Sequence, residues 1–249
     1  MWVRAATHVG QQRADNQDTY RIGILPQGGY LLVCDGMGGE NGGSVASQIA
    51  ADTAAVRIAQ GITEGIGELS ARRVLESAGA AANAAVLARA KGDFALTGMG
   101  TTLSGVVVTG NTAHIIHAGD SRVYLLRDDL LHRLTTDHTV VQMLIDRGDL
   151  TERAALNHPQ RHYITRAVGV EKQVLFDIFT IDLMEEDALL VCSDGLYNYV
   201  AHEELAALTA VCVRQKNAQP LIDAANANGG GDNITAALGS VAKEVHALG

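Results

Sequence analysis

Apolar runs of strand length, arranged in consecutive groups, are the feature that most constrains the fold of this chain. Most are bounded by Gly, Asp or Asn, and 27 glycines against three prolines favour many tight turns between strands. Because these runs do not alternate strictly with helical patterns, we predict an α+β fold of antiparallel sheets with helices packed outside. The predicted strands cover residues 30–34, 103–109, 113–118, 122–126, 174–181, 188–192 and 234–241.

Helical periodicity appears in an alanine-rich block between the early strands and residue 103. Further helical patterns cover residues 138–147, 203–215 and 218–227. The segment 148–163 is polar and rich in His and Arg, so we predict a flap beside the core of a single domain spanning residues 1–249. The apolar positions of the block are Val45, Ile49 and Val56 in one helix, and Leu75, Ala78, Ala82 and Val86 in the next.

Charge and hydropathy exclude several classes of protein. The formal net charge of −9 opposes nonspecific binding to nucleic acid or to an anionic membrane. No run approaches the ~18 apolar residues of a membrane span, and the first residues lack the apolar region of a signal peptide. Three cysteines without C-x-x-C spacing fit buried thiols in a reducing compartment. We therefore expect a cytoplasmic protein that binds neither nucleic acid nor membrane.

Aspartates lie at the ends of several predicted strands. Asp35 and Asp194 each precede a glycine at the end of an apolar run, while Asp120 and Asp232 each follow a glycine. A single Asp-Gly pair is most often only a turn, whereas several carboxylates that converge repel one another unless a cation lies between them. Oxygen ligands without Cys or an obligatory His favour hard ions, so convergence would create a site for Mg²⁺ or Mn²⁺. Spacing alone leaves that convergence open.

A second candidate group lies near the N-terminus, where Arg13 precedes Asp18 by five residues. A planar guanidinium binds phosphate oxygens through two hydrogen bonds, and a nearby carboxylate can hold metal-bound water. The pair would suit a phosphoryl substrate, although a solvated loop is the simpler interpretation of Arg13 taken alone.

Eight short motifs occur in a fixed order along the chain. They are RADNQD at 13–18, DGMGG at 35–39, GMGTT at 98–102, GDSR at 119–122, LTTDH at 134–138, ITRAVG at 164–169, SDGL at 193–196 and GDNIT at 231–235. In this order and at these intervals they resemble the metal-dependent serine/threonine phosphatases of type 2C, in their compact bacterial form. The resemblance covers about residues 4–240, and it is specific because it rests on the whole series.

This resemblance implies a β-sandwich of two antiparallel sheets flanked by helix pairs, with metal ions in a channel at one end. It implies that Asp35 bridges two ions and that the carbonyl of Gly36 binds the second. Asp194 and Asp232 would complete the first ion's ligands, and these three aspartates would be catalytic.

Three further roles follow from the same resemblance. The position of Asp120 matches a residue that joins Asp194 around a third, weaker ion in bacterial members. Asp18 would act mainly through metal-bound water, and Arg13 would bind the substrate phosphate as a catalytic residue.

The reaction that the resemblance implies is direct hydrolysis of phosphoserine or phosphothreonine in proteins, without a phosphoenzyme. Two Mn²⁺ or Mg²⁺ ions ~3.5–4 Å apart would lower the pKa of a bridging water and supply hydroxide for in-line attack. The implied partners are phosphoprotein substrates and an opposing serine/threonine kinase, and a monomer is the family's default.

The sequence departs from the family pattern at two positions. Met37 stands where eukaryotic relatives have a histidine proposed as general acid, and Gln17 stands where many members have an acid. We expect weaker metal binding at most, and protonation of the leaving group by water or another residue. In the flap, His158, Arg161 and His162 are candidates for substrate contact.

Alternatives from other classes fit less well. The run GMGGEN at 36–41 lacks the last glycine of a dinucleotide-binding motif, and no clear β-α-β unit surrounds it. Ser44 in GGSVA at 42–46 fits a helix N-terminus better than a nucleophile elbow. The alternative left open is a phosphatase-like regulatory domain that binds a phosphoprotein or partner without turnover. Such a domain would be expected to lose a core metal aspartate, and here all are present.

Overall fold

Two antiparallel sheets pack face to face, and helices cover both outer faces. The computed structural model describes residues 1–155 and 157–240, except for the side chains of Glu40 and Asn41. The strands are β1 (Trp2–His8), β2 (Asp18–Leu25), β3 (Gly28–Met37), β4 (Gly100–Thr101), β5 (Leu103–Thr109), β6 (Thr112–Ala118), β7 (Arg122–Arg127), β8 (Leu130–Arg133), β9 (Asp177–Asp182), β10 (Ala188–Cys192) and β11 (Ile234–Ser240). The helices are α1 (Gly39–Gly61), α2 (Glu68–Lys91), α3 (Val140–Asp146), α4 (Glu152–Ala155), α5 (Asp194–Tyr197), α6 (His202–Gln215) and α7 (Gln219–Ala227).

Strand order explains how distant parts of the chain meet. One sheet has the order β1-β11-β10-β7-β8, and the other has the order β2-β3-β5-β6-β9 with β4 paired to β3. The recorded strand pairs are antiparallel. The first and last strands of the described chain are therefore neighbours, which brings the N-terminal loop next to the loop before β11. The predicted α+β class and sandwich are confirmed.

Strand β3 shows why the predicted strands read as continuous apolar runs and not as alternating ones. Leu31 and Val33 are fully buried between the two sheets. Leu32 and Cys34 point the other way and are fully buried against α1 and α2. Both faces of the strand are covered, so both sets of side chains are apolar.

The two long helices only partly match their predicted apolar positions. In α2, Leu75, Ala78, Ala82 and Val86 are fully buried, as predicted. In α1, Val45 and Ile49 pack against the core, whereas Val56, predicted on the same apolar face, is 52% exposed. The buried stripe of α1 is formed by Ile58 together with alanines, which let the helix approach β3 and α2 closely: Ala46, Ala50, Ala51 and Ala54.

Other boundaries also differ from prediction. The predictions missed β1, β2, β4 and β8, and the strand expected from Val174 begins at Asp177. The predicted helix 138–147 begins two residues later because the Thr139 hydroxyl caps it, accepting the Gln142 N–H at 3.2 Å. The predicted end of the last strand at Val241 lies outside the described residues.

The residue after segment 148–163 contacts the start of α3. Thr139 and Ile164 form an isolated β-bridge, so the excursion returns to the residue that caps α3. Within the part of the chain described, no helix has the length and apolar character needed to cross a bilayer.

Candidate metal centre

Asp18 and Asp35 face each other across two neighbouring strands. Asp18 opens β2 and pairs with Asp35 in β3. The Ser193 hydroxyl donates to Asp18 Oδ2 at 2.6 Å, while the buried Oδ1 has no hydrogen-bond partner among the described residues. Burial raises the pKa of Asp18 to about 6, although the hydrogen bond from Ser193 opposes the shift.

The residue after Asp35 must be glycine. The Gly36 N–H donates to the Gln17 carbonyl at 3.1 Å. A Cβ at Gly36 would collide with the carbonyl oxygen of Gly43 in α1. This close approach fixes the path of the backbone where the resemblance expects a carbonyl ligand.

Asp194 is placed by the junction of β10 and the short helix α5. The Ser193 N–H donates to the Thr235 carbonyl at 3.1 Å, and the Thr235 N–H donates to Ser193 Oγ at 3.0 Å. Asn198 Nδ2 donates to Asp194 Oδ2 at 3.0 Å. Burial, followed by repulsion from Asp120, raises the pKa of Asp194 well above its ordinary value.

Asp120 lies in the turn after β6 and is 7% exposed. Its carbonyl accepts the Tyr197 hydroxyl at 2.9 Å, and the Arg122 guanidinium lies 3.5 Å from the centre of the Tyr197 ring. The Oδ1 atom of Asp120 is buried and finds no hydrogen-bond partner in the described structure. Burial and the negative charge of Asp137 raise the pKa of Asp120 to about 7.

Asp232 pairs with Arg13 at the rim of the same site. Arg13 Nη2 lies 2.8 Å from Asp232 Oδ2, and the Asn233 N–H donates to Asp232 Oδ1 at 2.8 Å. The Arg13 side chain is 57% exposed, so its remaining N–H groups face solvent. The sequence placed both residues at the site without indicating that they pair.

All these carboxylates act on Asp35. Burial comes first among the causes that raise its pKa well above the ordinary value, followed by repulsion from the other carboxylates. Without a metal ion, these aspartates cannot all stay ionised, because their mutual repulsion favours the uptake of protons or the binding of cations. The repelling residues are Asp18, Asp194, Asp120 and Asp232.

The donor atoms of this site fit a hard divalent cation. They are carboxylate oxygens, and the buried Oδ1 atoms of Asp18 and Asp120 have capacity to spare. Among residues 1–155 and 157–240, no group of three or more His, Cys, Asp or Glu side chains forms a ready-made metal cage. The site is thus a set of neighbouring, mutually repelling carboxylates.

Asn233 has a structural role that the sequence reasoning missed. Its Nδ2 donates to the carbonyls of Val9 and Asp15, both at 2.9 Å, and its Oδ1 accepts the Gln17 N–H at 2.8 Å. The side chain therefore holds the N-terminal loop, which carries Arg13, against the loop before β11. The sequence did offer a signal for this role, because Asn233 directly follows the candidate ligand Asp232 in a glycine-rich loop.

The C-terminal end of the predicted flap lies close enough to the site for its charges to act on His162. Burial lowers the pKa of His162, as does the neighbouring Arg161 charge, while Asp232 acts in the opposite direction. Arg13 also acts on His162. The end of the flap therefore lies near the Arg13–Asp232 pair.

Comparison with known proteins shows the family to which this chain belongs. The sequence profile of the family described as Protein phosphatase 2C matches residues 6–228. The chain belongs to the protein phosphatase 2C family. This phosphatase is 36% identical over 217 residues to the serine/threonine phosphatase stp of Listeria monocytogenes, covering 84% of this chain and 82% of the relative. It is 34% identical over 246 residues to the protein phosphatase PhpP of Streptococcus pneumoniae, covering 98% of this chain and 99% of the relative.

Solved structures are similar over nearly the whole phosphatase. The serine/threonine phosphatase PstP/Ppp of Mycobacterium tuberculosis superposes with a TM-score of 0.88 at 35% identity, covering 97% of this chain and 98% of that chain. The catalytic domain of PstP in complex with two manganese ions superposes with a TM-score of 0.83 at 32% identity, covering 97% and 98%. Relatives named as phosphatases do not favour the alternative of a domain without turnover.

Proposed function

We propose that this phosphatase hydrolyses phosphoserine and phosphothreonine in proteins, in a reaction that needs Mn²⁺ or Mg²⁺. The observation that carries the proposal is the position of half-buried Asp35 among four other carboxylates, since desolvation and then their repulsion raise its pKa well above the ordinary value. Such a group is stable in its ionised form only with cations close by. The crystallised manganese complex of PstP supports the same type of cofactor.

Each candidate residue has a role in this proposal. Asp35 would bind both core ions, with the Gly36 carbonyl on one of them and with Asp194 and Asp232 on the other. Asp120 and Asp194 would hold a third, weaker ion. Two buried oxygens, on Asp18 and Asp120, find no hydrogen-bond partner among the described residues, which is consistent with these roles because a bound cation or its water would satisfy them.

Divalent cations at such a site supply a strongly acidified water and neutralise charge on the phosphoryl oxygens. Arg13 would bind the phosphate, since its partly exposed guanidinium is held in place by Asp232 at 2.8 Å and still presents free N–H groups. Ser193 keeps Asp18 oriented through its 2.6 Å hydrogen bond. Met37 carries no proton to give, so the leaving oxygen would take its proton from solvent or another group.

The test is hydrolysis of p-nitrophenyl phosphate and of a phosphothreonine peptide with and without Mn²⁺. We expect Asp35→Asn and Asp232→Asn to lower kcat/KM at least about 100-fold, because substituting a metal ligand lowers activity more than substituting a residue that supports a ligand. The exposed Asp223→Asn on α7 is the matched control and should retain full activity. Wild-type rates in the Asp35 and Asp232 variants would refute the proposal. Peptide binding without phosphate release by the wild type would support the regulatory alternative.

Partners and compartment belong to the same proposal. Proteins phosphorylated by a serine/threonine kinase would be the substrates, and a cytoplasmic monomer would act on them. The cysteines Cys34, Cys192 and Cys212 are free and buried, which suits a reducing compartment. Size-exclusion chromatography with light scattering tests the monomer, since a dimer mass at micromolar concentration would contradict it.

A further inference from the structure

Thr102 lies between the strand that carries Asp35 and the turn that carries Asp120. It is fully buried and exchanges two hydrogen bonds with Asp35. The Asp35 N–H donates to Thr102 Oγ1 at 2.8 Å, and the Thr102 N–H donates to the Asp35 carbonyl at 2.9 Å. Thr102 therefore restrains Asp35 through its side chain as well as its backbone.

The same hydroxyl also reaches the neighbour of Asp120. Thr102 Oγ1 lies 2.7 Å from Ser121 Oγ, and both residues are fully buried. Because Thr102 Oγ1 already accepts the Asp35 N–H, its own hydrogen is available to donate to Ser121. Ser104 Oγ lies 2.7 Å from the Ser121 carbonyl and anchors that residue on its other side.

Packing on the methyl side of Thr102 restrains the same turn. Gly119 has φ +113°, and a Cβ there would meet Thr102 Cγ2. The turn thus approaches Thr102 as closely as a glycine allows, which leaves the Thr102 hydroxyl facing Ser121. The hydroxyl and the methyl group of Thr102 have separate contacts, so substitutions can remove one and retain the other.

We propose that Thr102 is a positioning residue that links Asp35 to Asp120 through Ser121 and so sets the affinity of the site for divalent cations. The inference rests on the proposed function, in which both aspartates are metal ligands. Asp35 and Asp120 repel each other. The neutral Thr102 hydroxyl joins the Asp35 N–H to the side chain of Ser121, the residue after Asp120, and so restrains the two segments relative to each other without adding charge. Outer residues of this kind typically change metal affinity by about 10–100-fold.

Four variants separate the contacts. Thr102→Val has nearly the same shape without the hydroxyl, whereas Thr102→Ser retains the hydroxyl without the methyl. Ser121→Ala removes only the second half of the bridge. Thr209→Val is the control, since Thr209 is also fully buried but lies in α6, where its hydroxyl donates to the Leu205 carbonyl at 2.6 Å.

The readouts are Mn²⁺ binding by electron paramagnetic resonance and calorimetry, thermal unfolding of the metal-free protein, and kcat and KM. We expect Thr102→Val to weaken Mn²⁺ binding about 10–100-fold, with kcat falling at limiting Mn²⁺ and KM for phosphopeptide unchanged. Thr102→Ser should bind within about three-fold of wild type, and Ser121→Ala should weaken mainly the weakest Mn²⁺ step. Thr209→Val should bind Mn²⁺ normally.

Three results would overturn the inference: normal Mn²⁺ binding by Thr102→Val, equal losses in Thr102→Ser and Thr102→Val, or the same loss in Thr209→Val. If Thr102→Val does not fold, Ser121→Ala decides, and unchanged Mn²⁺ binding by that variant overturns the inference. Failure of the proposed function is recognised separately. In that case the wild type itself would not bind Mn²⁺, or Asp35→Asn would bind it unchanged.

Discussion

Replacing Asp18 by asparagine should stabilise the metal-free protein at alkaline pH. Asp18 is 7% exposed, and burial raises the pKa of its carboxyl from 3.8 to about 6. A difference of about two pKa units corresponds to about 3 kcal/mol of unfolding free energy. Asparagine carries no charge, and its oxygen can still accept the Ser193 hydroxyl, so the cost of burying the ionised group disappears.

The sign of the pH dependence follows from the raised pKa of Asp18. Below pH 3.8 the carboxyl is neutral in both folded and unfolded chains, and its contribution to stability is fully present. Between 3.8 and about 6 the folded protein holds a proton that the unfolded chain releases, so this contribution is lost as pH rises. The advantage of Asp18→Asn should therefore be small at acid pH and largest above about pH 7.

Thermal unfolding in EDTA measures this effect at pH 5, where we expect about half of the gain, and at pH 8, where we expect all of it. For a chain of this size, about 3 kcal/mol corresponds to a rise in Tm of about 6–12 °C at pH 8. The exposed Asp223→Asn should show no such pH-dependent gain, and millimolar Mn²⁺ should shrink the gain of Asp18→Asn by stabilising the wild type. A variant that melts no higher than wild type at pH 8, or gains equally at both pH values, would refute the reasoning.

Three further substitutions test other parts of the structure. Arg13→Ala should lower kcat/KM about 100-fold while Mn²⁺ affinity measured by calorimetry stays within about three-fold, and an equal loss of both would contradict a phosphate-binding role. Asn233→Ala removes three hydrogen bonds between two loops and should lower the free energy of unfolding by about 3 kcal/mol. An unchanged urea midpoint of unfolding would show that the Asn233 side chain does not hold the two loops together. Arg127→Ala leaves buried Asp187 without the cation that lies 2.6 Å away in the native protein. We expect the free energy of unfolding to fall by about 3 kcal/mol, with kcat unchanged at a temperature where the variant is folded. A large fall in kcat would show that this ion pair affects the site.

Sequence patterns predicted much of the fold because burial on both faces leaves a clear signal. The run at β3 is apolar at four successive positions, and the Leu75 to Val86 stripe of α2 has helical spacing. Strands β1 and β2 were missed because edge strands with half-buried residues lack that signal. Val56 was misassigned because a helix that packs through alanines buries its small residues and exposes some large ones.

The candidate site shows a similar division. Strand-end aspartates and their order along the chain indicated the residues of the centre, and the resemblance to a family implied their roles. The contacts that restrain the site residues could not be predicted from the sequence: the bridge from Thr102 to Ser121, the Asn233 amide between two loops, and the pairing of Arg13 with Asp232. Each joins residues from separate segments, and periodicity carries no information about such pairs.

The amino-acid sequence by itself determined the class of fold, the long helices and central strands, and the identity of the acidic side chains. These properties depend on local backbone preferences and on apolar patterning within one segment. Only the tertiary structure decided that Asp18 lies opposite Asp35 and that Ser193 binds Asp18 across 175 positions of the chain. It also decided which carboxylate oxygens find no hydrogen-bond partner within the described part of the chain. Strand pairing and burial create those relations, because the field on a carboxylate depends on every charge around it in space.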